Sequence, residues 1–458
     1  MERFDAIVVG AGQAGPALAA RLDAEGLKTA IIERKLLGGT CVNVGCIPTK
    51  TLVGSARAIH MARRGAEYGF SAGELRVDMK AVKARKDGVV KQSSDGVASW
   101  IRGMKNVTLI NGQARFTGPR TIDVGGKRSL QAERIFLNVG GRALVPDIPG
   151  IDDVPYLTNS TILALDGVPE HLVIVGGSYI GLEFAQIYRR FGAKVTVVEK
   201  FDKLLPREDE DVTAEIRAIL EREGVAIHIG ADRMAFSQAG DRVCVRFEAG
   251  GTKSEVQASH VLLAVGRVPN TQDLGLREAG IAADARGYIT VDEQCRTSAE
   301  GVWCMGDANG RGAFTHTSWN DYEIVAANLF DKDPRRISER IPCYALFIDP
   351  PLGRVGMNEA EARKSGRRLL AGKMPMTRVG RAREMGETQG FMKVLADADS
   401  KELLGAAILG LNGDEIVHSL LDVMYAKKPY TTVQRAVHIH PTVTELVPTL
   451  LGNLKPMA

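Results

Sequence analysis

The stretch GTCVNVGCIPTK (residues 39–50) carries two cysteines, Cys41 and Cys46, with four residues between them. A disulfide that closes so small a ring removes little entropy from the unfolded chain, so the pair is poorly suited to stabilising the fold. It is better suited to opening and closing in a redox cycle. Pro48 and a helix-compatible run over 51–64 follow, which predicts that Cys46 lies near a helix N-terminus, where a thiol pKa is lowered. We therefore predict one stabilised thiolate and one thiol that exchanges with substrate.

A second chemical feature lies at the start of the chain. An apolar strand (AIVV) leads into Gly10, Gly12 and Gly15, then into an Ala/Leu-rich helix and a strand that ends at Glu33. Gly10 permits a tight turn, Gly12 lets a pyrophosphate approach the helix N-terminus, and Gly15 allows close packing of helix on strand. Glu33, 23 positions beyond Gly10, can accept a hydrogen bond from a ribose 2′-hydroxyl. This order of elements predicts a dinucleotide site.

The same pattern recurs in HLVIVGGSYIGLEFAQIYRRFGAKVTVVEK. A strand is followed by Gly176, Ser178 and Gly181, an amphipathic helix, and a strand ending at Glu199, again 23 positions after the first glycine. Ser178 replaces the middle glycine, so the backbone there must accept phosphates beside a small side chain. Two such sites on one chain predict two nucleotide cofactors.

These features must be positioned by three domains. Glycine and proline punctuate the chain at RIFLNVGGRALVPDIPGI, the strand HVLLAVGRVPN leads out of the second unit, and a mixed pattern of strands and helices begins near residue 340. The predicted bounds are 1–147 with 271–336 for the first nucleotide domain, 148–270 for the second, and 337–458 for the third. Gly306 and Asp307 end a strand inside the first domain and suit a polyhydroxylated chain such as a ribitol.

Composition excludes several other classes. The chain has 458 residues, enough for about three domains, and its formal charge of +4 is too small and too dispersed to favour nucleic acid. No apolar run approaches the length needed to cross a bilayer, and acidic residues and glycines interrupt the apolar start, which argues against a signal peptide. The remaining cysteines stand singly and are expected to be small buried residues: Cys244, Cys295, Cys304 and Cys343. A catalytic disulfide in such a chain predicts a reducing cytoplasm.

Taken together, the motifs resemble those of the class I pyridine nucleotide-disulfide oxidoreductases, the flavoproteins that include dihydrolipoamide dehydrogenase, glutathione reductase and mercuric reductase. They are Gly10–Gly15, CVNVGC, GGSYIGLE, GVWCMGDA and HPTVTE, in the family order over essentially the whole chain. The resemblance implies an α/β fold with two Rossmann-like dinucleotide-binding domains and a C-terminal α+β dimerisation domain. It also implies that the first site binds FAD and the second NAD(P)H.

The resemblance assigns roles to individual residues. Lys50 and Glu183 would pair beside the isoalloxazine, Asp307 would meet the flavin ribitol, and Tyr179 would gate the nicotinamide pocket. No resident metal is expected. The implied cofactor-binding residues are Gly10, Gly12, Gly15, Glu33, Gly39, Thr40, Lys50, Gly140, Gly176, Gly177, Ser178, Tyr179, Ile180, Gly181, Glu199, Gly266, Gly306 and Asp307.

Electrons from the nicotinamide would reach Cys46, the sulfur nearer the flavin, and release Cys41 as the exchange thiol. The exchange thiol needs a base tuned near neutrality. The resemblance identifies His440, with Glu445 five positions later, as the catalytic pair contributed by the other subunit. Glu445 would orient the ring and stabilise the imidazolium. A homodimer with a shared active site follows. His438 is expected either to pack in the structure or to lie behind the residues that act directly.

The coenzyme and the electron acceptor are less strongly determined. Glu199 favours NADH because a carboxylate repels a 2′-phosphate, although Lys200, Lys203 and Arg207 follow closely and leave NADPH possible. GLE, VVEK and HIHPTVTE resemble dihydrolipoamide dehydrogenase, whereas FTHTSWNDYEIVAANL and IPCYALFIDPPLGRVGM are closer to the mercuric-reductase-like or reactive-chlorine-resistance flavoproteins.

We therefore expect a small disulfide or a thiophilic metal ion as acceptor. Mercuric reductases carry a vicinal cysteine pair at the C-terminus, and this chain has no cysteine after Cys343, which makes efficient Hg(II) turnover doubtful. Glutathione reductase fits less well because it usually takes NADPH. A non-enzymatic redox sensor remains an alternative, but a sensor needs neither a second nucleotide site nor a His-Glu pair.

Overall fold

The computed structural model describes residues 1–457. The strands are β1 (Glu2–Val9), β2 (Thr29–Glu33), β3 (Val107–Asn111), β4 (Ala114–Gly118), β5 (Thr121–Val124), β6 (Arg128–Leu137), β7 (Gly141–Ala143), β8 (His171–Val175), β9 (Lys194–Val198), β10 (Ala226–His228), β11 (Asp232–Ala239), β12 (Arg242–Ala249), β13 (Thr252–Ala258), β14 (His260–Leu263), β15 (Arg267–Pro269), β16 (Val302–Cys304), β17 (Cys343–Leu346), β18 (Leu352–Gly356), β19 (Leu369–Pro375), β20 (Phe391–Asp397), β21 (Leu403–Leu409) and β22 (Lys455–Pro456). The helices are α1 (Ala14–Ala24), α2 (Gly39–Val44), α3 (Cys46–Arg63), α4 (Met79–Arg102), α5 (Tyr179–Phe191), α6 (Glu210–Arg222), α7 (Thr315–Ala326), α8 (Glu359–Lys364), α9 (Gly380–Glu384), α10 (Gly413–Ile416), α11 (His418–Tyr425), α12 (Thr431–Gln434) and α13 (Leu446–Leu451).

The first sheet has the order β3-β2-β1-β6-β5-β4, with β16 paired to β6. β1 lies parallel to both β2 and β6, so the strand order reverses beside β1. Its residues 6–9 are buried, as expected for a parallel strand covered on both faces. The carboxyl end of β1 is therefore a switch point, where α/β sheets bind ligands.

The second sheet repeats this arrangement with four parallel strands in the order β10-β9-β8-β14. β8 is flanked by β9 and β14, so its carboxyl end is again a switch point. Helix α5 follows and is buried over most of its length. A separate antiparallel sheet, β11-β12-β13, packs beside these strands through one shared apolar cluster.

The third sheet contains six antiparallel strands in the order β17-β18-β21-β20-β19-β22. Its apolar core includes residues from α10 to α13. The two parallel units and the C-terminal α+β unit confirm the predicted fold class. Within the described residues, no helix combines the length and apolar character that crossing a bilayer requires.

A cluster of charged side chains joins the three units. Arg190 on α5 lies 2.7 Å from Glu223 and 2.6 Å from Asp349, which precedes β18. Arg57 on α3 pairs with the same Asp349 and lies 2.6 Å from Glu387. Separating a buried ion pair leaves an unpaired charge in the interior, which is unfavourable. This cluster therefore fixes α3 and α5 against the third unit. Helix α3 carries Cys46 and Lys50 of the candidate site, and helix α5 carries Tyr179 and Glu183.

Candidate active site

The two cysteines lie on consecutive helices, α2 and α3, with Cys46 as the first residue of α3, which confirms the predicted helix start. Both cysteine side chains are half-buried. A hydrogen bond from the Cys41 thiol, together with one from Thr315 and the charge of Lys50, lowers the pKa of Cys46 to about 6 despite burial. The same contact, with burial, raises the pKa of Cys41. The geometry thus stabilises a thiolate at Cys46 and keeps Cys41 protonated.

The Thr315 contact comes from a distant segment. Its Oγ1 lies 3.2 Å from the Cys46 Sγ, and Thr315 is the first residue of α7. The helix N-termini of α3 and α7 therefore both lie at this sulfur, and the partial positive charge of a helix N-terminus favours a thiolate.

Lys50 lies one helical turn after Cys46 on α3. Its Nζ is 2.7 Å from Glu183 Oε2 and 4.6 Å from the centroid of the Phe347 ring. The other carboxylate oxygen of Glu183 accepts a hydrogen bond from the Phe347 backbone N–H at 3.0 Å. Side chains from the second and third units thus hold the ammonium group of a residue in the first unit.

One cavity of about 2340 Å³ contains the cysteine pair and extends to both glycine loops. Of the predicted site residues, the following line it: Gly10, Gly12, Glu33, Gly39, Thr40, Cys41, Cys46, Lys50, Gly140, Gly176, Ser178, Tyr179, Ile180, Glu183, Glu199, Gly266 and Asp307. Gly15, Gly177, Gly181 and Gly306 are absent from its wall and shape the backbone behind it. A single space therefore connects two dinucleotide loops to a thiol pair.

The first loop fits the pyrophosphate of FAD. Gly10 has φ +102°, and a Cβ there would lie 2.3 Å from the Asn138 carbonyl oxygen. A Cβ at Gly15 would lie 2.1 Å from the Gly10 carbonyl oxygen. The half-buried Glu33 accepts hydrogen bonds from Ala11 N at 2.9 Å and Lys35 N at 2.8 Å. The loop leaves the backbone open to a phosphate and its acid at the adjacent ribose position.

Asp307 lies on the same cavity, after β16. Burial raises the pKa of its carboxyl, and Arg267 Nε lies 3.5 Å from its Oδ2. Gly306 has φ +73° and donates from its N–H to Asp321 Oδ2 at 2.8 Å. A carboxylate held in this way can accept hydrogen bonds from a polyhydroxylated chain.

The second loop has the same construction. Gly176 has φ +113°, and a Cβ there would lie 2.4 Å from the Ala264 carbonyl oxygen. Glu199 is only 5% exposed and accepts from Gly177 N at 2.5 Å and Phe201 N at 2.9 Å. Ser178 is extended, with φ −108° and ψ −173°, a conformation that any residue adopts. The loop therefore tolerates the serine.

An aromatic group borders the second loop. The ring of Tyr179 meets Tyr344 edge-on at 5.6 Å between centroids and Phe314 at 6.2 Å. Phe314 stacks on Tyr344 at 5.5 Å and on His316 at 5.3 Å. Because Phe314 directly precedes Thr315, these rings reach from the second glycine loop to the neighbourhood of Cys46.

His440 and Glu445 are brought together but lie elsewhere. His440 Nδ1 is 2.9 Å from Glu445 Oε2, and the imidazole is 80% exposed. In the described part of this chain, the cavity wall includes neither residue. The neighbouring Val437 and Ile439 are also exposed. The Glu445 carboxylate therefore orients the His440 imidazole, which is accessible to another molecule.

One group of carboxylates within 1–457 is close enough to hold a cation: Asp209, Asp211 and Glu359. The Lys393 Nζ already lies 2.9, 2.6 and 2.7 Å from these three side chains, in that order. The ammonium group neutralises the cluster, which therefore has a structural role between α6 and the third sheet.

Several residues of the site were not found from the sequence. Asn138, Thr315, Tyr344 and Phe347 belong to segments far along the chain from the motifs they contact, and none stands in a recognisable spacing. Cys343, expected to be buried, is half-exposed and lines the cavity, because β17 is the edge strand of its sheet.

Comparison with known proteins supports the family. Residues 4–321 match the pyridine nucleotide-disulphide oxidoreductase family, and residues 343–451 match its dimerisation domain. The chain is 36% identical over 463 residues to the probable pyridine nucleotide-disulfide oxidoreductase RclA of Escherichia coli (strain K12), covering 99% of this chain and 100% of that protein. It is 34% identical over 448 residues to a dihydrolipoyl dehydrogenase of Thermus scotoductus, covering 97% and 96%.

Solved structures similar to this chain support the same family. The HOCl-induced flavoprotein disulfide reductase RclA from Escherichia coli has a TM-score of 0.90 at 35% identity, covering 98% of this chain and 100% of that one. A Cu(II) complex of the same reductase also has a TM-score of 0.90, at 34% identity and 99% coverage of each chain. Members of the family are FAD-dependent and use NAD(P)H. With both glycine loops and the thiol pair on one cavity, the chain belongs to the pyridine nucleotide-disulphide oxidoreductase family, of which it is an FAD-dependent enzyme member.

Proposed function

We propose that this enzyme passes two electrons from NADH through FAD to the Cys41–Cys46 disulfide, and then to a small disulfide or a thiophilic metal ion. The observation that carries the proposal is the single cavity that joins both dinucleotide loops to a cysteine pair with a stabilised thiolate. FAD, when bound, supplies a carrier that accepts a hydride and gives up electrons to sulfur. For a disulfide acceptor, NADH, H⁺ and RSSR become NAD⁺ and two RSH.

The two sulfurs have different duties in this proposal. Cys46 stays a thiolate because hydrogen bonds from Cys41 and Thr315, together with the charge of Lys50, favour its negative form. Cys41, once released, attacks the acceptor disulfide and forms a mixed disulfide, which Cys46 then resolves. Since its pKa is raised, Cys41 needs a base to attack. His440 of the partner subunit fits this need, because in its own chain it is exposed, lies away from the cavity and is held by Glu445.

A homodimer with shared active sites is therefore part of the proposal, supported by the dimerisation domain over 343–451. The predicted bounds of the three domains and a cytoplasmic location remain predictions. They are compatible with the separate sheets and with a thiol pair that must cycle in a reducing compartment.

NADH is the proposed coenzyme because Glu199 places a carboxylate at the second loop. The basic residues Lys200, Arg207 and Arg233 line the same cavity and would attract a 2′-phosphate. The ratio of kcat/KM for NADH and NADPH decides between them. A ratio above one supports the proposal, and a preference for NADPH would contradict it.

The acceptor is proposed from chemistry and from relatives. A dithiol is a soft ligand for thiophilic metals, and the reductase from Escherichia coli has been solved with Cu(II), so Cu(II) is the first metal to test, ahead of Hg(II). Dihydrolipoamide oxidation is the second candidate, favoured by the relatives named dihydrolipoyl dehydrogenase.

The main test follows NADH oxidation by the holoenzyme with glutathione disulfide, lipoamide, Cu(II), Hg(II) and a quinone. Cys46→Ser and Cys41→Ser should abolish turnover with disulfide and metal acceptors, because each removes one sulfur of the pair. Cys244→Ser, which changes a buried cysteine on β12, is the matched control. Full turnover by both active-site variants would overturn the proposal, as would a flavin that NADH reduces without turnover on any acceptor.

The role of His440 is tested separately. His440→Ala should remove disulfide reduction but leave the reduction of bound FAD by NADH intact, because the base acts only on the exchange thiol. Equal loss of both half-reactions would exclude this role.

The charge on Cys46 gives a pH test. Its folded pKa is lowered to about 6, so the thiolate is present above this pH and is lost as the pH falls through it. Alkylation of Cys46 by iodoacetamide in the reduced enzyme, located by mass spectrometry, should slow below about pH 6. A midpoint near the usual thiol value, about 8.5, would contradict the assignment of the thiolate.

A further inference from the structure

The side chain of Glu208 is fully buried beside the aromatic group at the second loop, in the turn before α6. Its Oε1 accepts a hydrogen bond from the Tyr344 hydroxyl at 2.6 Å and a longer one from the Tyr179 hydroxyl at 3.4 Å. Its Oε2 has no hydrogen-bond partner among residues 1–457. One carboxylate oxygen thus accepts hydrogen bonds from two phenols. A short hydrogen bond to a carboxylate is much stronger than a long one, so the bond from Tyr344 is the stronger of the two.

The charge of Glu208 is balanced only loosely. Arg354 Nη1 lies 3.8 Å from Glu208 Oε2 but donates to Asp209 Oδ2 at 3.0 Å. Arg354 Nη2 is also buried, and no atom in the described part of the chain is its hydrogen-bond partner. Oε1 is therefore the oxygen through which Glu208 makes its hydrogen bonds within the described residues.

Tyr179 stands where a coenzyme must pass. It is the residue after the phosphate loop Gly176–Ser178, and its ring abuts the stacked rings of Phe314 and Tyr344 edge-on. Beyond these rings lie Thr315 and Cys46. A nicotinamide extending from the loop toward Lys50 and Glu183 would have to displace the Tyr179 ring, whereas Tyr344 can remain in place.

We propose that Glu208 and Tyr344 are positioning residues that set how firmly the Tyr179 ring closes the nicotinamide side of the cavity. Because Tyr344 occupies Oε1 at short distance, Tyr179 makes only the longer of the two bonds to Glu208 and opens at little cost. The inference rests on the proposed function, since it assumes that a nicotinamide coenzyme enters beside Tyr179.

The arrangement predicts opposite effects for two substitutions in the same network. Tyr344→Phe removes the stronger donor, so Tyr179 becomes the only phenol on Oε1 and closes more tightly. Glu208→Gln keeps the shape but replaces the charged acceptor with a neutral one, which loosens Tyr179. The apparent Kd for NADH should rise about fivefold in the first variant and fall about twofold in the second, because hydrogen bonds to charged groups are stronger than neutral ones.

The experiment is anaerobic stopped-flow reduction of the flavin by NADH in the holoenzyme. It gives the apparent Kd and the limiting rate without any acceptor or cysteine chemistry. Both substitutions are repeated in a Tyr179→Phe background, where the hydroxyl that competes for Oε1 is gone. Tyr188→Phe is the matched control, because it removes a buried hydroxyl from the same helix that donates to the Ile162 carbonyl instead.

Opposite changes in Kd that disappear in the Tyr179→Phe background, with no change in Tyr188→Phe, support the proposal. Changes of the same sign, or changes that persist without the Tyr179 hydroxyl, overturn it. If Glu208→Gln loses FAD or fails to fold, Tyr344→Phe with and without Tyr179→Phe decides the question alone. If NADH does not reduce the flavin of the unsubstituted enzyme, the proposed function fails. If NADH reduces the flavin but the substitutions at Glu208 and Tyr344 leave the Kd unchanged, only this inference fails.

Discussion

The two dinucleotide loops share one plan. In each, a strand ends at a glycine with positive φ whose Cβ would collide with a carbonyl oxygen of a neighbouring segment, that of Asn138 for Gly10 and that of Ala264 for Gly176. In each, an acid accepts from the amide one residue after that glycine and from the amide two residues after itself. The repeated contacts follow from repeated spacing.

The loops differ at the residue that provides the colliding carbonyl. Asn138 accepts from Gly15 N at 3.1 Å and donates to the Met305 carbonyl at 3.2 Å. Its side chain therefore ties the first loop to β16 as well as β6, and it occupies the space beside Gly12, where a Cβ would lie 2.9 Å from its Oδ1. Ala264 has no polar side chain and leaves room for Ser178.

This difference suits the two cofactors. A loop tied by side chains to several strands is rigid, which favours a cofactor that stays bound through many turnovers. A loop without the Asn138 ties favours a coenzyme that enters and leaves in each cycle.

Gly10→Ala and Gly176→Ala test whether the loops serve different cofactors. Each places a Cβ at positive φ against a carbonyl oxygen, a strain of about 3 kcal/mol or about 100-fold in binding. Gly10→Ala should yield protein with little FAD, measured as flavin absorbance per chain. Gly176→Ala should retain FAD and raise the KM for NADH about 100-fold. Loss of FAD in both variants would show that the loops are not independent.

Gly12→Ser tests the role of Asn138 directly. The added side chain meets Asn138 Oδ1, so FAD content should fall by more than half, about 1–2 kcal/mol. Gly12→Ser combined with Asn138→Ala should retain more FAD than Gly12→Ser alone, because it recreates the small residue found at Ala264. Asn138→Ala by itself is the control for the lost hydrogen bonds. Equal FAD content in Gly12→Ser and in the double variant would reject the explanation that the small residue Ala264 is what leaves room for Ser178 in the second loop.

Glu199→Gln and Glu33→Gln compare the two acids. Glu199 is 5% exposed, and both of its oxygens accept hydrogen bonds from backbone N–H groups. In Glu199→Gln, the side-chain NH2 would therefore face one of these N–H groups, and two donors would meet. A buried mismatch of this kind costs about 1–3 kcal/mol. Thermal unfolding of the holoenzyme should show a larger loss of stability for Glu199→Gln than for Glu33→Gln, whose side chain is half-buried. The reverse order would show that burial does not distinguish the acids.

Ser178→Gly should have the smallest effect. The serine backbone is extended and its side chain makes no capping hydrogen bond to α5. We expect less than about a twofold change in the KM for NADH, because the position needs no glycine conformation. A tenfold change would mean that the hydroxyl binds the coenzyme phosphates.

Local motifs were predictable. The strand–glycine–helix order, the acids that follow and the helix start at Cys46 depend on contacts within about thirty residues, which spacing and residue type determine. The fold class followed from finding that order twice. Glu199 was placed correctly at the end of its strand, but its burial was not foreseen, because burial depends on the turn at Phe201 folding back over the carboxylate.

By itself, the sequence determined that this protein has two dinucleotide-type glycine loops and a closely spaced cysteine pair, because those features reside in short segments. Tertiary structure added the hydrogen bond from Thr315 that helps to stabilise the Cys46 thiolate, since Thr315 lies 269 positions from Cys46. It also decided why the two loops differ, since Asn138 lies 123 positions from Gly15, and which side chains surround Tyr179, since Tyr344 lies 136 positions from Glu208. Contacts over such separations depend on how the units pack, and no local pattern encodes them.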